Sequence, residues 1–321
     1  MTKQKVFISR KIPEKGVALI RDFCDVDLWQ DEIPPSYDVL LDRVKEVDGL
    51  LSALTERIDA GLMDEAPNLK VISNFAVGVD NIDVASATKR KIPVGNTPGV
   101  LTDATADMAF ALLMAAARRV VEGEHYVQAG HWKTWDPRLL LGADFVGSTL
   151  GIIGFGRIGK AVAKRATGFD LRVIYHDPSA KPSFNAMPVD LETLLSESDF
   201  ISLHVPLTPI TRHMINNETL KKMKPNAVLV NTSRGSVIDP QALYVALKNH
   251  QIFAAALDVT EPEPLPSDDP LLKLSNCIVV PHLGSASKQT RDQMSVLSAQ
   301  NLIAGLKGER LPNCVNSQVY D

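Results

Sequence analysis

Cysteine is scarce in this chain. The three residues, Cys24, Cys277 and Cys314, are scattered and odd in number. That argues against a disulfide framework and suits a reducing cytoplasm. A basic surplus is also missing: Lys and Arg number 34 against 38 acids, for a formal net charge of −4. No surface for nucleic acid is therefore expected. The longest fully apolar stretch, MAFALLMAAA at 108–117, is too short to span a bilayer, so no membrane partner is expected either. The N-terminal MTKQKVFISRK has no secretory h-region, which again points to the cytoplasm. The seven histidines show neither H-x-x-x-H nor Cys/His ligand spacing, so no metal is expected. Repeats and low-complexity segments are lacking too.

What the chain does have is concentrated in two places. The first is STLGIIGFGRIGKAVAKRATGFDLRVIYHDP, residues 148–178, in which Gly154, Gly156 and Gly159 fit G-x-G-x-x-G. The motif is weak alone, but here an apolar strand precedes it, a helix-forming stretch over 160–167 follows, and a second strand ends at Asp177. Gly154 permits the tight turn, Gly156 lets the backbone approach a pyrophosphate, and Gly159 allows the helix to pack on the strand. The helix N-terminus offers N–H groups and a partial positive charge to phosphates. Asp177 can accept from an adenosine ribose and repels a 2′-phosphate, so NAD(H) is expected over NADP(H). The nearest candidate cation for such a phosphate is Lys181.

The second place is a set of strand ends near the C-terminus. Arg234 follows AVLVNTS, Glu263 follows LDVTEP, and His282 follows CIVVP. Short runs of this kind read as strands of a buried parallel sheet, and ligands of open α/β sheets bind outside the carboxyl ends of the strands. Any one of these residues alone could serve as a surface ion pair or a satisfied structural group. With a nicotinamide to supply the hydride, together they can serve the reduction of a carbonyl: an imidazole delivers the proton, a carboxylate orients it, and a guanidinium fork binds a carboxylate and polarises the carbonyl.

The chain resembles the D-2-hydroxyacid dehydrogenases, and within them the glyoxylate/hydroxypyruvate reductase branch. The likeness runs through VISNFAVGVDNIDV (71–84), NTPGVLTDATADMAFALLMAAARR (96–119), GIIGFGRIGKAVAKR (151–165) and HVPLTPITRHMIN (204–216). It continues through NTSRGSVID (231–239), AAALDVTEPEP (254–264) and VVPHLGSAS (279–287). The resemblance implies Arg234, Glu263 and His282 as catalytic residues. It selects Glu263 over Glu261 because the family pattern puts the catalytic glutamate directly before the second proline of EPEP. It also implies substrate contacts from the backbone of Val77 and Gly78, with Ser285 beside His282. For the cofactor it implies Arg157 and Ile158 at the pyrophosphate and Thr105 near the phosphates or nicotinamide. Val205, Pro206 and Thr211 would line the adenosine side, and Thr232, Asp258 and Gly284 the nicotinamide.

At 321 residues the chain exceeds what one hydrophobic core usually supports. Alternating patterns predict strands over 6–9, 49–53 and 71–75 and helices over 39–46 and 84–91, a flavodoxin-like α/β unit. A long helix over 103–118 leads into a Rossmann-type doubly wound parallel sheet. A last helix, about 288–307, carries Met294, Leu297, Ile303 and Leu306 near helical spacing. The resemblance returns that helix to the first domain. The expected division is therefore 1–98 with 287–321 for substrate and 99–286 for NAD, with a hinge between them.

Residues 119–147 break the βα rhythm and hold Trp132 and Trp135. The resemblance makes this segment an arm that embraces a second subunit, hence a homodimer, although the tryptophans could equally pack within their own chain. The substrate expected is a small 2-oxo acid, foremost glyoxylate or hydroxypyruvate. Sibling activities on D-lactate, glycerate, 2-ketogluconate or phosphoglycerate stay open, as does a NAD-sensing corepressor-like binding protein. Against the phosphoglycerate type stands the expected lack of a regulatory extension, since the chain ends at Asp321, and Glu263 argues against formate dehydrogenases.

Overall fold

The computed structural model describes residues 3–179 and 186–321. Two compact units emerge, Met1–Leu101 with Ser287–Asp321, and Thr102–Ala286. Lys181 lies outside the described residues.

The first unit is built on β1 (Lys5–Ile8), β2 (Asp25–Leu28), β3 (Gly49–Ser52), β4 (Val71–Asn74) and β5 (Val94–Gly95). All are parallel, in the order β2-β1-β3-β4-β5, which is the flavodoxin-like winding. The central strands β3 and β4 are buried at every position, as expected for strands covered on both faces. The helix Lys288–Leu306 joins this unit. Ser73 Oγ on β4 donates to Ser298 O at 2.9 Å, and the buried Asn301 donates to Asn96 O at 2.9 Å. Of the apolar residues that mark this helix in the sequence, Met294 and Leu306 are buried, whereas Leu297 and Ile303 are only half-buried. The inward face is largely small and polar: Ser295, Ser298, Ala299, Asn301 and Gly305. Small residues let the helix lie close to the sheet, and hydrophobic spacing cannot reveal such a face.

The second unit carries β6 (Thr149–Ile153), β7 (Arg172–His176), β8 (Met187–Pro188), β9 (Phe200–Leu203), β10 (Val228–Asn231), β11 (Ala254–Leu257) and β12 (Cys277–Val279). Its parallel order is β12-β11-β10-β9-β6-β7-β8. The chain winds outward from β6 to β8, then returns to β9 and winds the other way. The switch point therefore falls between β6 and β9. Strands β6, β9, β10 and β11 are buried throughout. Leu150, Ile152, Phe200, Val228 and Val230 face the helix Thr102–Ala117, and Ile153, Ile201, Leu203 and Leu229 face the other layer of helices. With core on both sides, residues just past the strand ends are among the few sheet positions that reach a ligand.

Candidate active site

The glycine loop connects β6 to the helix Arg157–Ala166. Gly154 has φ +92°, and a Cβ there would sit 2.6 Å from the carbonyl carbon of His204, just past β9. A Cβ on Gly159 would fall 2.2 Å from Gly154 O. Both glycines are required by protein neighbours. Gly156 is not: a Cβ there would meet nothing within 4 Å. The space it leaves lies at a helix start with no side-chain cap. Several other crossover helices are capped by carboxylates, as at Asp190, which accepts from Thr193 N at 2.7 Å. The uncapped amides after Gly156 are thus a ready anion site.

Asp177, past the end of β7, accepts from Phe155 N at 2.8 Å through one oxygen and from Ser179 N at 2.9 Å through the other. It therefore braces the glycine loop. Each carboxylate oxygen has a second lone pair for a hydroxyl donor. Past β9, Val205 and Pro206 open a turn that Thr211 closes by donating to Pro206 O at 2.6 Å. Thr105 and Thr232 are buried, and Thr232 Oγ1 has no hydrogen-bond partner among the described residues. An orphaned hydroxyl one residue past β10, open space at Gly156 and uncapped helix amides fit a dinucleotide with a polar ring substituent.

Strands β10, β11 and β12 are neighbours in register, Asn231 opposite Leu257 and Leu257 opposite Val279. Arg234, Glu263 and His282 therefore all leave the same sheet edge. Asn231, buried at the end of β10, shapes the first turn: its Oδ1 accepts from Ser233 N at 3.0 Å and its Nδ2 donates to Arg234 O at 2.8 Å. Arg234 itself donates to Ser233 O at 2.7 Å. His282 Nδ1 lies 2.6 Å from Glu263 Oε1, so Nε2 is the nitrogen left to face a substrate. The His282 backbone has φ +53°, in the left-handed region. That turn is held by Asp258, whose two oxygens accept from Leu283 N at 2.5 Å and Gly284 N at 2.8 Å. Burial pushes the Asp258 carboxyl up from its usual range, against the pull of these backbone bonds and the nearby His282.

Asn231 and Asp258 thus have structural tasks that the sequence alone did not disclose. The signal for Asn231 was an Asx residue ahead of a turn. His204 was also passed over. Its Nε2 meets Ser202 Oγ at 2.8 Å, its Nδ1 is covered without a partner among the described residues, and burial pushes the ring down to about 3. Ser285 is half-buried three residues past His282. Val77 and Gly78 belong to the first unit, in the loop after β4. There Asn96 donates to Val77 O at 2.8 Å and Asn74 to Gly78 O at 2.9 Å. Among the described residues, no cluster of three or more His, Cys, Asp or Glu is arranged for a metal, and no helix is long and apolar enough to cross a membrane.

A doubly wound sheet with this glycine loop and this edge defines a dinucleotide-dependent oxidoreductase. Residues 110–284 match the NAD-binding domain of the D-isomer specific 2-hydroxyacid dehydrogenases. A glyoxylate reductase from Korarchaeum cryptofilum is 55% identical over 99% of this chain and 97% of its own length. A solved Thermus thermophilus protein superposes with a TM-score of 0.93 at 47% identity, covering 97% of this chain and 99% of that one. An NADPH-dependent glyoxylate/hydroxypyruvate reductase from Sinorhizobium meliloti superposes with a TM-score of 0.86 at 30% identity, covering 98% of each chain. The chain belongs to the D-isomer specific 2-hydroxyacid dehydrogenase family. It is an oxidoreductase acting on CH–OH donors and the corresponding 2-oxo acids.

Proposed function

We propose that the protein reduces glyoxylate, and hydroxypyruvate beside it, with NADH as the preferred reductant. The observation that carries this reading is the Glu263–His282 pair, 2.6 Å apart on the sheet edge that also bears Arg234. When bound, the nicotinamide supplies the hydride. The remaining demands fall on side chains. His282 Nε2 hands a proton to the carbonyl oxygen, and Glu263, bonded to Nδ1, fixes the orientation of the ring. Arg234 binds the substrate carboxylate and polarises the carbonyl, with the backbone of Val77 and Gly78 and the hydroxyl of Ser285 as further holds. In oxidation His282 serves as the base.

The cofactor would rest its pyrophosphate on Gly154, Gly156, Arg157, Ile158 and Gly159, with Thr105 beside the phosphates. Its adenosine would lie along Val205, Pro206 and Thr211, and its nicotinamide by Thr232, Asp258 and Gly284. NADH is preferred over NADPH because a carboxylate at Asp177 repels a 2′-phosphate. The Sinorhizobium relative uses NADPH, so the preference is a property of this chain's own residues. On this reading the first unit holds substrate and the second holds NAD. The test is NADH and NADPH oxidation with glyoxylate, hydroxypyruvate, pyruvate and 2-ketogluconate. Faster turnover of the first two acids with NADH is expected; tight NADH binding without turnover on any of the four would overturn the reading.

The protein would work as a cytoplasmic homodimer. The helix Val120–Gln128 buries none of its residues in its own chain. Val120, Val127, Trp132, Trp135 and Leu141 are all more than half exposed on this segment. So many large apolar side chains on one arm are consistent with a protein interface. Light scattering at micromolar concentration should give twice the 35.0 kDa chain mass; a single-chain mass would rule the dimer out. The three cysteines are all free thiols, in keeping with a reducing compartment.

A further inference from the structure

The loop that carries Glu263 bears a second glutamate, and that residue has its own histidine. Glu261 Oε2 lies 2.6 Å from His213 Nε2, and Glu261 Oε1 accepts from Arg212 at 2.7 Å. We propose that Arg212, His213 and Glu261 form a clamp that positions Glu263 against His282. The clamp rests on the reading of Glu263 and His282 given above.

The loop needs such a clamp because of its composition. In Thr260–Pro264 two of five residues are prolines, which have no N–H to donate. One internal bond, from Thr260 Oγ1 to Pro262 O at 2.7 Å, shapes the turn but does not tie it to the sheet. Glu261 supplies a tie. Burial raises its carboxyl, but hydrogen bonds from His213, Ser236 and Arg212 outweigh that and hold it below the usual range. It is therefore an ionised acceptor with both oxygens engaged.

The far side of the clamp is itself fixed. His213 N donates to Ser236 O at 2.8 Å, and Ile215 N to Val237 O at 3.1 Å. Asn216 Nδ2 donates to His213 O at 3.1 Å. His213 has φ +49°, a conformation that persists in a non-glycine residue only where its surroundings over-determine it. Ser236 and Val237 lie two and three positions after Arg234. A Cβ on Gly235 would fall 1.9 Å from Thr260 O, so the turn bearing Arg234 presses against the loop bearing Glu263. The ends of β9, β10 and β11 are thus one interlocked body, with Glu261 as its latch.

Glu263 lies two positions after the latch, a span of roughly 7 Å at full extension. A latch this close passes displacement on with little loss, and a misplacement of about 1 Å near a reacting group can cost about 10²-fold in rate. The clamp contributes little to global stability, because Arg212 is 52% exposed at its side chain and such pairs are screened by water. Position, rather than stability, is what it supplies.

The experiment is a double-mutant cycle between Glu261→Ala and Glu263→Gln, with Glu261→Gln as a milder variant should the alanine protein fold poorly. For each we would measure kcat, KM for glyoxylate, NADH affinity by fluorescence, and the thermal midpoint. Glu261→Ala should lower kcat about tenfold, with NADH affinity and thermal midpoint nearly unchanged. In a Glu263→Gln background the same change should alter kcat less than about twofold, since nothing is left to position. Glu261→Gln should fall between, because it keeps one acceptor. Multiplying losses in the double variant would overturn the clamp, as would an unimpaired Glu261→Ala beside a crippled Glu263→Gln. Full activity of Glu263→Gln would overturn the reading of that residue, and the clamp with it.

Discussion

Replacing His282 with asparagine should cut turnover roughly 10²–10⁴-fold, the range expected when a positioned general acid is removed. NADH affinity should stay close to that of the parent protein. Asparagine is the better probe than alanine because the residue sits at φ +53°. Asparagine visits the left-handed region readily, whereas alanine there would cost on the order of 1–2 kcal/mol. The turn around His282 is held through backbone, by Asp258 on Leu283 N and Gly284 N and by His282 N on Asp258 O at 3.0 Å. None of these bonds uses the imidazole. Loss of the ring should therefore leave Gly284 and Thr232 in place, and with them the proposed nicotinamide surface. Fluorescence titration with NADH beside steady-state turnover decides the matter. A parallel loss of both would make His282 a structural residue.

How much of this was legible beforehand depends on where the information resides. Strands such as β10 and β11 are buried at every position, so the apolar runs AVLV and AAAL stand out. The helix after the glycine loop begins at Arg157, three residues before the 160–167 stretch that its composition suggests. Gly156 heads it without a polar cap, so no start signal was present. The two-residue β8 is an exposed edge with too little pattern to read. The helix Val120–Gln128 buries no residue fully in its own unit, so its periodicity points at no core.

At the site, residue types and strand ends were visible, but partnerships were not. Nothing local in EPEP distinguishes its two glutamates; the family pattern chose Glu263, and the structure gives Glu263 to His282 and Glu261 to His213. The bonds from Asp177 to Phe155 N and from Asp258 to Gly284 N join residues 22 and 26 positions apart. Such pairs exist only once the sheet has brought its ends together.

Arg234 offers the other large effect. Its guanidinium carries five donors in a rigid fork, and the bond from Nη1 to Ser233 O at 2.7 Å helps to fix its orientation. Removing a donor aimed at a developing oxyanion typically costs about 10²–10³-fold in kcat. Arg234→Ala should therefore lose at least that much in kcat/KM for glyoxylate. The loss should be shared between a higher KM and a lower kcat if, as proposed, one side chain serves both carboxylate and carbonyl. Arg234→Lys separates charge from geometry. An ammonium keeps the positive charge but cannot grip a carboxylate with two parallel bonds. It should thus recover part of the KM effect and little of kcat. Full recovery by lysine would mean that charge alone matters at this position. A loss below about tenfold in the alanine protein, small beside the donor-removal range, would transfer carboxylate binding to the backbone of Val77 and Gly78. In that case the strand-end arginine would be a brace for the Asn231 turn, and His282 with Glu263 would carry the chemistry without it.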